Sequence, residues 1–284
     1  MRQRSISAIG VVVAGLVPAV LGGWLFAIAF TCICAIAYQE AIRITHPNPG
    51  FLGQMGIAIV ALAGVLAMFP ELPNRIGLLA ALAVGVPLSA AVFLSGTDGI
   101  AAWTATTAAS LYLGLPAFAA ISLRNSEAYR AHEWVGDLAG VMPDVSSRTG
   151  GGLAWFLLAL LVTWLSDTCA YLVGKTWGHR KLIPRVSPNK TIEGAAGGLA
   201  AAAIVAVICD WAFGLDIGPA WASAVGLALG GIGMIGDLSE SMLKRQRGIK
   251  DSGDLIPGHG GMLDRIDALV FVMVATWLIA PAFG

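Results

Sequence analysis

Charge is what this sequence has least of. Only 12% of its 284 residues are Asp, Glu, Lys or Arg, against 57% hydrophobic, whereas a soluble domain is roughly one quarter charged. That shortage excludes an ordinary water-soluble globule, and a mean hydropathy of +0.79 agrees. The 17 basic and 17 acidic residues cancel, so the basic excess that marks nucleic-acid binding is missing and no nucleic-acid partner is expected. Cysteine is scarce as well. Cys32, Cys34, Cys169 and Cys209 lie in apolar runs, without the paired spacing of a zinc site or the loop setting of a disulfide scaffold. The soluble nucleotide fingerprints are also absent: there is no Gly-x-x-x-x-Gly-Lys-Ser/Thr, and no glycine-rich dinucleotide turn after a strand.

What is present is a series of apolar stretches, each long enough to cross a hydrocarbon core about 30 Å thick. The candidates are residues 6–22, 24–42, 52–69, 77–96, 100–122, 152–174, 194–213, 218–241 and 264–282. Open sheet edges cannot be satisfied in lipid, so the expected fold is all-α, a polytopic membrane protein of about nine transmembrane helices. Gly22-Gly23 is the only break between the first two stretches, which leaves a count of about eight open. The opening Met1-Arg2-Gln3-Arg4 before an apolar run also fits a cleaved signal peptide, although the later spans need no separate signal.

Orientation follows from the Lys and Arg residues. With the longer count, Arg2, Arg4, Arg43, the connection 175–193 and the connection 242–263 with Arg265 share one side. That side holds 13 of the 17 basic residues, leaving Arg75, Arg124, Arg130 and Arg148 opposite. The asymmetry places both basic connections in the cytoplasm.

Three regions follow. Residues 1–123 form about five spans with few interior polar groups, and Glu40 is expected at the cytoplasmic water boundary. Residues 124–151 form an extracytoplasmic, mixed-charge loop carrying Trp134, read as solvated or lying in the interface. Residues 152–284 hold the polar interior: Asp167, Asp237, Glu240, Asp264 and Asp267 all fall within or at the mouths of spans. Acids at membrane depth are costly and mark a functional interior site or cavity; the bland alternative is a structural ion pair. Gly194-Ala-Ala-Gly197-Gly198 and Gly226-x-x-x-Gly230 read as helix-packing patterns.

The two basic connections supply the complementary charge. Lys190, Lys244, Arg245, Lys250 and Arg265 suit phosphates. Asp237, Asp264 and Asp267 are hard oxygen donors of the kind Mg²⁺ takes, one or two at a time, alongside water and substrate phosphate. Asp264 and Asp267 stand one helical turn apart, and Gly258, Gly260 and Gly261 allow backbone N–H groups close to an anion. His259 fits either an acid/base or a hydrogen bond that orders the loop. Together these groups describe metal-assisted phosphoryl or nucleotidyl transfer, in which positioning and charge neutralisation carry the chemistry. An ion-coupled transporter would instead show polar, interrupted helices in both halves.

The run Ser241-Met-Leu-Lys244-Arg245, Lys250-Asp251-Ser-Gly253 and Ile256-Pro257-Gly-His259-Gly260-Gly261-Met-Leu-Asp264-Arg265-Ile-Asp267 resembles the signature of the phosphatidate cytidylyltransferase (CDP-diacylglycerol synthase) family, without departure from Ser241 to Asp267. Asp167-x-x-Ala170-Tyr171-x-x-Gly174-x-x-x-Gly178 and Ser187-Pro188-x-Lys190-Thr191-x-Glu193-Gly194 also look like that family. The likeness is detailed over 152–284, whereas the first half matches only as a multispan apolar region. The resemblance implies transfer of CMP from CTP to phosphatidate, giving CDP-diacylglycerol and pyrophosphate. It implies Mg²⁺ and a second cation (K⁺ or another Mg²⁺), and a homodimer embedded among the lipids of the inner membrane. By its pattern Asp237 and Asp264 are the metal carboxylates, with Lys244 and Arg265 beside them in catalysis. Ser187, Lys190, Glu193, Arg245, Lys250, Asp251, His259, Asp267 and Asp167 serve the substrates. A CTP-dependent lipid-alcohol kinase is the nearest rival.

Overall fold

The computed structural model describes residues 15–48, 50–94, 98–141, 149–255 and 260–283. Residues 15–21 are helical. The helices that follow are α1 (Gly23–Thr45), α2 (Gly50–Ala67), α3 (Arg75–Leu94), α4 (Gly99–Arg124), the short α5 (Glu133–Ala139) and α6 (Gly150–Trp177). A hairpin of β1 (Lys181–Ile183) and β2 (Ser187–Thr191) precedes α7 (Ile192–Phe213), α8 (Pro219–Gln246) and α9 (Leu263–Ile279).

Among the described residues, seven helices (α1–α4 and α6–α8) are long and apolar enough to span a bilayer, so the chain is a multi-pass, nearly all-helical membrane protein. The expected count of about nine is not reproduced in these residues. Most of the stretch 6–22 lies outside them, and α9 has only 17 residues before the chain tightens into a 3₁₀ turn at Ala280–Ala282. Two boundaries run past expectation. Helix α6 carries Lys175 on its last turn, and α8 continues to Gln246 with Lys244 and Arg245 on its last turn. Cations there face the negative end of the helix dipole, which favours the extension. The hairpin is the other departure from an all-helix expectation, and it lies in a connection between helices.

The chain divides into two compact units. The first comprises Met1–Pro18, Gly23–Ser122 and Ile249–Arg265. Within it α1, α2 and α3 pack in sequence order. Gly56 leaves room for the Tyr38 ring, since a Cβ there would collide with it, and the Tyr38 hydroxyl donates to the Gly53 carbonyl at 2.9 Å. Pro87 sits inside α3 and cannot donate to the carbonyl of residue 83. Helix α4 supplies the missing donor, Thr107 Oγ1 donating to Ala83 O at 3.1 Å, and Trp103 Nε1 adds a bond to the neighbouring Val84 O at 3.1 Å. A neighbouring helix thus satisfies backbone that lipid could not. Arg75 does the same at the end of α2, donating to Leu66 O and Ala67 O.

The second unit comprises Ala19–Gly22, Leu123–Gly248 and Ile266–Gly284. Here small residues let backbones approach. A Cβ at Gly194 would stand 2.7 Å from Ala170 O, one at Gly226 would collide with Ala202 O, and one at Gly236 would stand 2.7 Å from Asp267 O. The glycine patterns therefore do serve packing. Arg124 is fully buried, where it donates to the carbonyls of Ala19 and Val20 and to Thr149 Oγ1. A guanidinium of five donors suits a helix end with unsatisfied carbonyls. Asp210 organises the α7–α8 turn by accepting from Ile217 N at 2.9 Å and Gly218 N at 3.0 Å. All four cysteines are free, and Cys34 and Cys209 are buried.

Candidate active site

In the second unit the hairpin is a tool for placing Lys190. Its strands pair antiparallel, with Lys181 opposite Thr191 and Ile183 opposite Ser187. Thr191 then caps α7, its Oγ1 accepting from Gly194 N at 3.1 Å. Glu193, in the first turn of α7, accepts from His179 N at 3.1 Å and Arg180 N at 3.2 Å. Two backbone donors and a helix N-terminus suit a carboxylate, so Glu193 shapes the loop. From this frame Lys190 Nζ reaches the Asp237 carboxylate on α8 as an ion pair, each side chain about a quarter exposed (26% and 28%).

The same helix carries a second pair one turn on. Glu240, whose side chain is 1% exposed, meets Lys244 Nζ at 2.5 Å. Arg245 Nε donates to Val186 O at the hairpin turn, at 3.4 Å. Asp167 on α6 lies within electrostatic reach of Asp237 and Lys190, and Asp267 on α9 within reach of Asp237, Asp167 and Lys244. The second unit thus gathers Asp167, Asp237, Asp267, Lys190 and Lys244. Ser187 lies on β2, opposite Ile183.

In the first unit Asp264 Oδ2 accepts from Ser252 N at 2.8 Å, Ser252 Oγ at 3.0 Å and Gly261 N at 2.8 Å. The bland alternative of a partner for a nearby Lys or Arg is thus incomplete, because this carboxylate also holds its own loop. Lys250 and Asp251 are exposed on that loop, and so is Arg265 at the start of α9. His259 lies outside the described residues.

The sequence reading missed Glu40. Its side chain is buried, 7% exposed, and it accepts from Met262 N at 3.0 Å, Leu263 N at 2.8 Å and Ser252 Oγ at 2.9 Å. The signal was available, since an acid flanked by apolar helix already asks for partners.

Among the described residues no three His, Cys, Asp or Glu side chains close into a chelating group. Mg²⁺ does not need one, because it takes one or two carboxylates and completes its shell with water and phosphate oxygens. Asp237, about a quarter exposed and already paired with Lys190, is a donor of that kind. The arrangement is that of a multi-pass membrane protein whose charged groups are concentrated near helix ends, a chemistry suited to phosphates.

Comparison with known proteins agrees. The cytidylyltransferase family model matches residues 2–283. Phosphatidate cytidylyltransferase of Bacillus subtilis (strain 168) is 31% identical over 288 residues, covering 100% of this chain and 99% of that protein. The proteins of the same name from Staphylococcus haemolyticus (strain JCSC1435) and Staphylococcus aureus (strain COL) are 46% and 48% identical over 122 residues. Those alignments cover 43% of this chain and 47% of each relative. The chain belongs to the cytidylyltransferase family.

Proposed function

We propose that this enzyme transfers CMP from CTP to phosphatidate, forming CDP-diacylglycerol and pyrophosphate at the cytoplasmic face of the inner membrane. The observation that carries the reading is the end-to-end similarity to the Bacillus subtilis phosphatidate cytidylyltransferase. The charged clusters support it independently, because they suit a reaction between two phosphate anions.

The phosphate oxygen of phosphatidate is already anionic near neutral pH, so no strong base is needed to create the nucleophile. It forms a bond to the α-phosphorus of CTP, and the bond from that phosphorus to the bridging oxygen of the β-phosphate breaks. Repulsion is the main barrier. Lys190, Lys244, Arg245, Lys250 and Arg265 would reduce it and stabilise the departing pyrophosphate. By the family signature Asp237 and Asp264 would hold Mg²⁺, which when bound screens the phosphates and assists pyrophosphate departure. Asp167 and Asp267, in the electrostatic neighbourhood of Asp237, would add negative charge for that cation. A second cation, K⁺ or another Mg²⁺, belongs to the same reading, as does a homodimer. The acyl chains stay in lipid, which accounts for a site at a membrane boundary.

Purified protein given CTP, Mg²⁺ and phosphatidate vesicles tests this by mass spectrometry of the lipid product. CDP-diacylglycerol supports the proposal. A phosphorylated lipid alcohol formed from diacylglycerol, with no nucleotide on the lipid, would replace it with the kinase reading.

A further inference from the structure

Glu40 is a buried acid that the transfer chemistry leaves unused, and its partners lie far along the chain. Both carboxylate oxygens are engaged. Oε1 accepts from Met262 N at 3.0 Å, while Oε2 accepts from Leu263 N at 2.8 Å and Ser252 Oγ at 2.9 Å. Ser252 Oγ also stands 3.0 Å from Asp264 Oδ2, and a hydroxyl carries one proton, so the two carboxylates share it. Ser252 N and Gly261 N both donate to Asp264 Oδ2 at 2.8 Å. Two acids thus grip one segment, Glu40 from α1 and Asp264 from the first turn of α9.

The glycines of that segment fit this grip. A Cβ at Gly261 would collide with Glu40 and with Ser252 Oγ, and one at Gly253 would stand 2.8 Å from Glu40 Oε1. Gly260 has φ +80°, and a Cβ there would stand 2.5 Å from Asp264 Oδ2. The space that side chains would fill is taken by the two carboxylates.

We propose that Glu40 is a positioning residue for nucleotidyl transfer: its carboxylate fixes the backbone at Ser252 and at Met262–Leu263 and so sets where Asp264 is presented. The proposal rests on the reading of Asp264 as a reaction carboxylate. A buried carboxylate is costly unless hydrogen-bonded, and three donors meet that cost here. Gln in its place keeps the shape but turns an amide NH₂ toward backbone N–H donors, leaving one of them unmatched.

The test uses the full chain in detergent. Glu40→Gln should lower kcat about tenfold or more, the rate equivalent of losing a hydrogen bond to a charged group. KM for CTP should change little, and the Mg²⁺ concentration for half-maximal rate should rise. Independently of activity, trypsin should cut after Lys250 several-fold faster than in the unaltered protein, with cleavage after Arg185 in the hairpin unchanged as an internal control. Ser252→Ala, which removes only the shared hydroxyl, should move each readout the same way by less, and it serves if Glu40→Gln does not insert. Unchanged kcat and Mg²⁺ response in both variants would overturn the proposal, even if cleavage after Lys250 were faster. Inactivity of the unaltered protein on CTP and phosphatidate would count against the substrate assignment instead, and cleavage after Lys250 would still decide whether Glu40 holds the segment.

Discussion

The Lys190–Asp237 pair shows how a single contact separates chemistry from stability. Both side chains are about a quarter exposed, and ion pairs of that kind contribute about 0–1 kcal/mol. Lys190→Ala should therefore shift the unfolding temperature little while raising KM for CTP or phosphatidate, lowering kcat, or both, by about tenfold. Unchanged kinetics with both substrates would return the basic connection to a topology signal. Asp264→Asn should nearly abolish turnover through loss of a hard anionic ligand, while its amide oxygen can still accept from the donors that Oδ2 holds. Asp237→Asn should be comparably inactive, and the double variant little worse than either single, if both carboxylates serve one cation as proposed. Strictly multiplicative losses in kcat would contradict that sharing. These acids were legible in the sequence because charge is rare in an apolar chain. Glu40 was legible only as an acid beside an apolar span, because its donors lie more than two hundred positions away and nothing local in Tyr38-Gln39-Glu40 names them. Glu193 was legible as important but not in its role: only the fold shows its carboxylate turned back onto His179 N and Arg180 N.

At the scale of elements, the helices were the readable part. Eight expected stretches, from 24–42 to 264–282, correspond to α1–α4 and α6–α9, most boundaries falling within a few residues. Length and hydropathy suffice there because lipid leaves the backbone no other solution. The hairpin was not readable as strands, since Ser187-Pro-Asn-Lys-Thr191 has no apolar alternation and its pairing is imposed by the turn and by the start of α7. The proline in α3 gives a quantitative test of helix–helix satisfaction. Thr107→Val should leave Ala83 O without its donor and cost about 1–3 kcal/mol of stability. Pro87→Ala, which restores the backbone N–H, should recover most of that loss in the double variant. Chemical denaturation of the four proteins measures the coupling, and additive effects would rule out the Thr107–Ala83 bond as the replacement donor. Gly226→Val should cost about 1–3 kcal/mol by overpacking, because even a Cβ there collides with Ala202 O.

For the whole molecule, the basic asymmetry makes a topological prediction. In a cysteine-free background, Asp254→Cys should react with a membrane-impermeant thiol reagent only when the cytoplasmic face is open, and Glu127→Cys should react from outside. Both positions are exposed, so labelling of both from one side would overturn the orientation. The central claim is a transfer of CMP, and the fate of each CTP phosphate tests it most directly. Purified protein should be given phosphatidate and Mg²⁺ with CTP labelled either on the α-phosphate or on the γ-phosphate. The account predicts α-label in the lipid and γ-label in pyrophosphate, with the lipid label lost in Asp264→Asn. Label from the γ-phosphate in lipid, or lipid labelling that Asp264→Asn leaves intact, would contradict it.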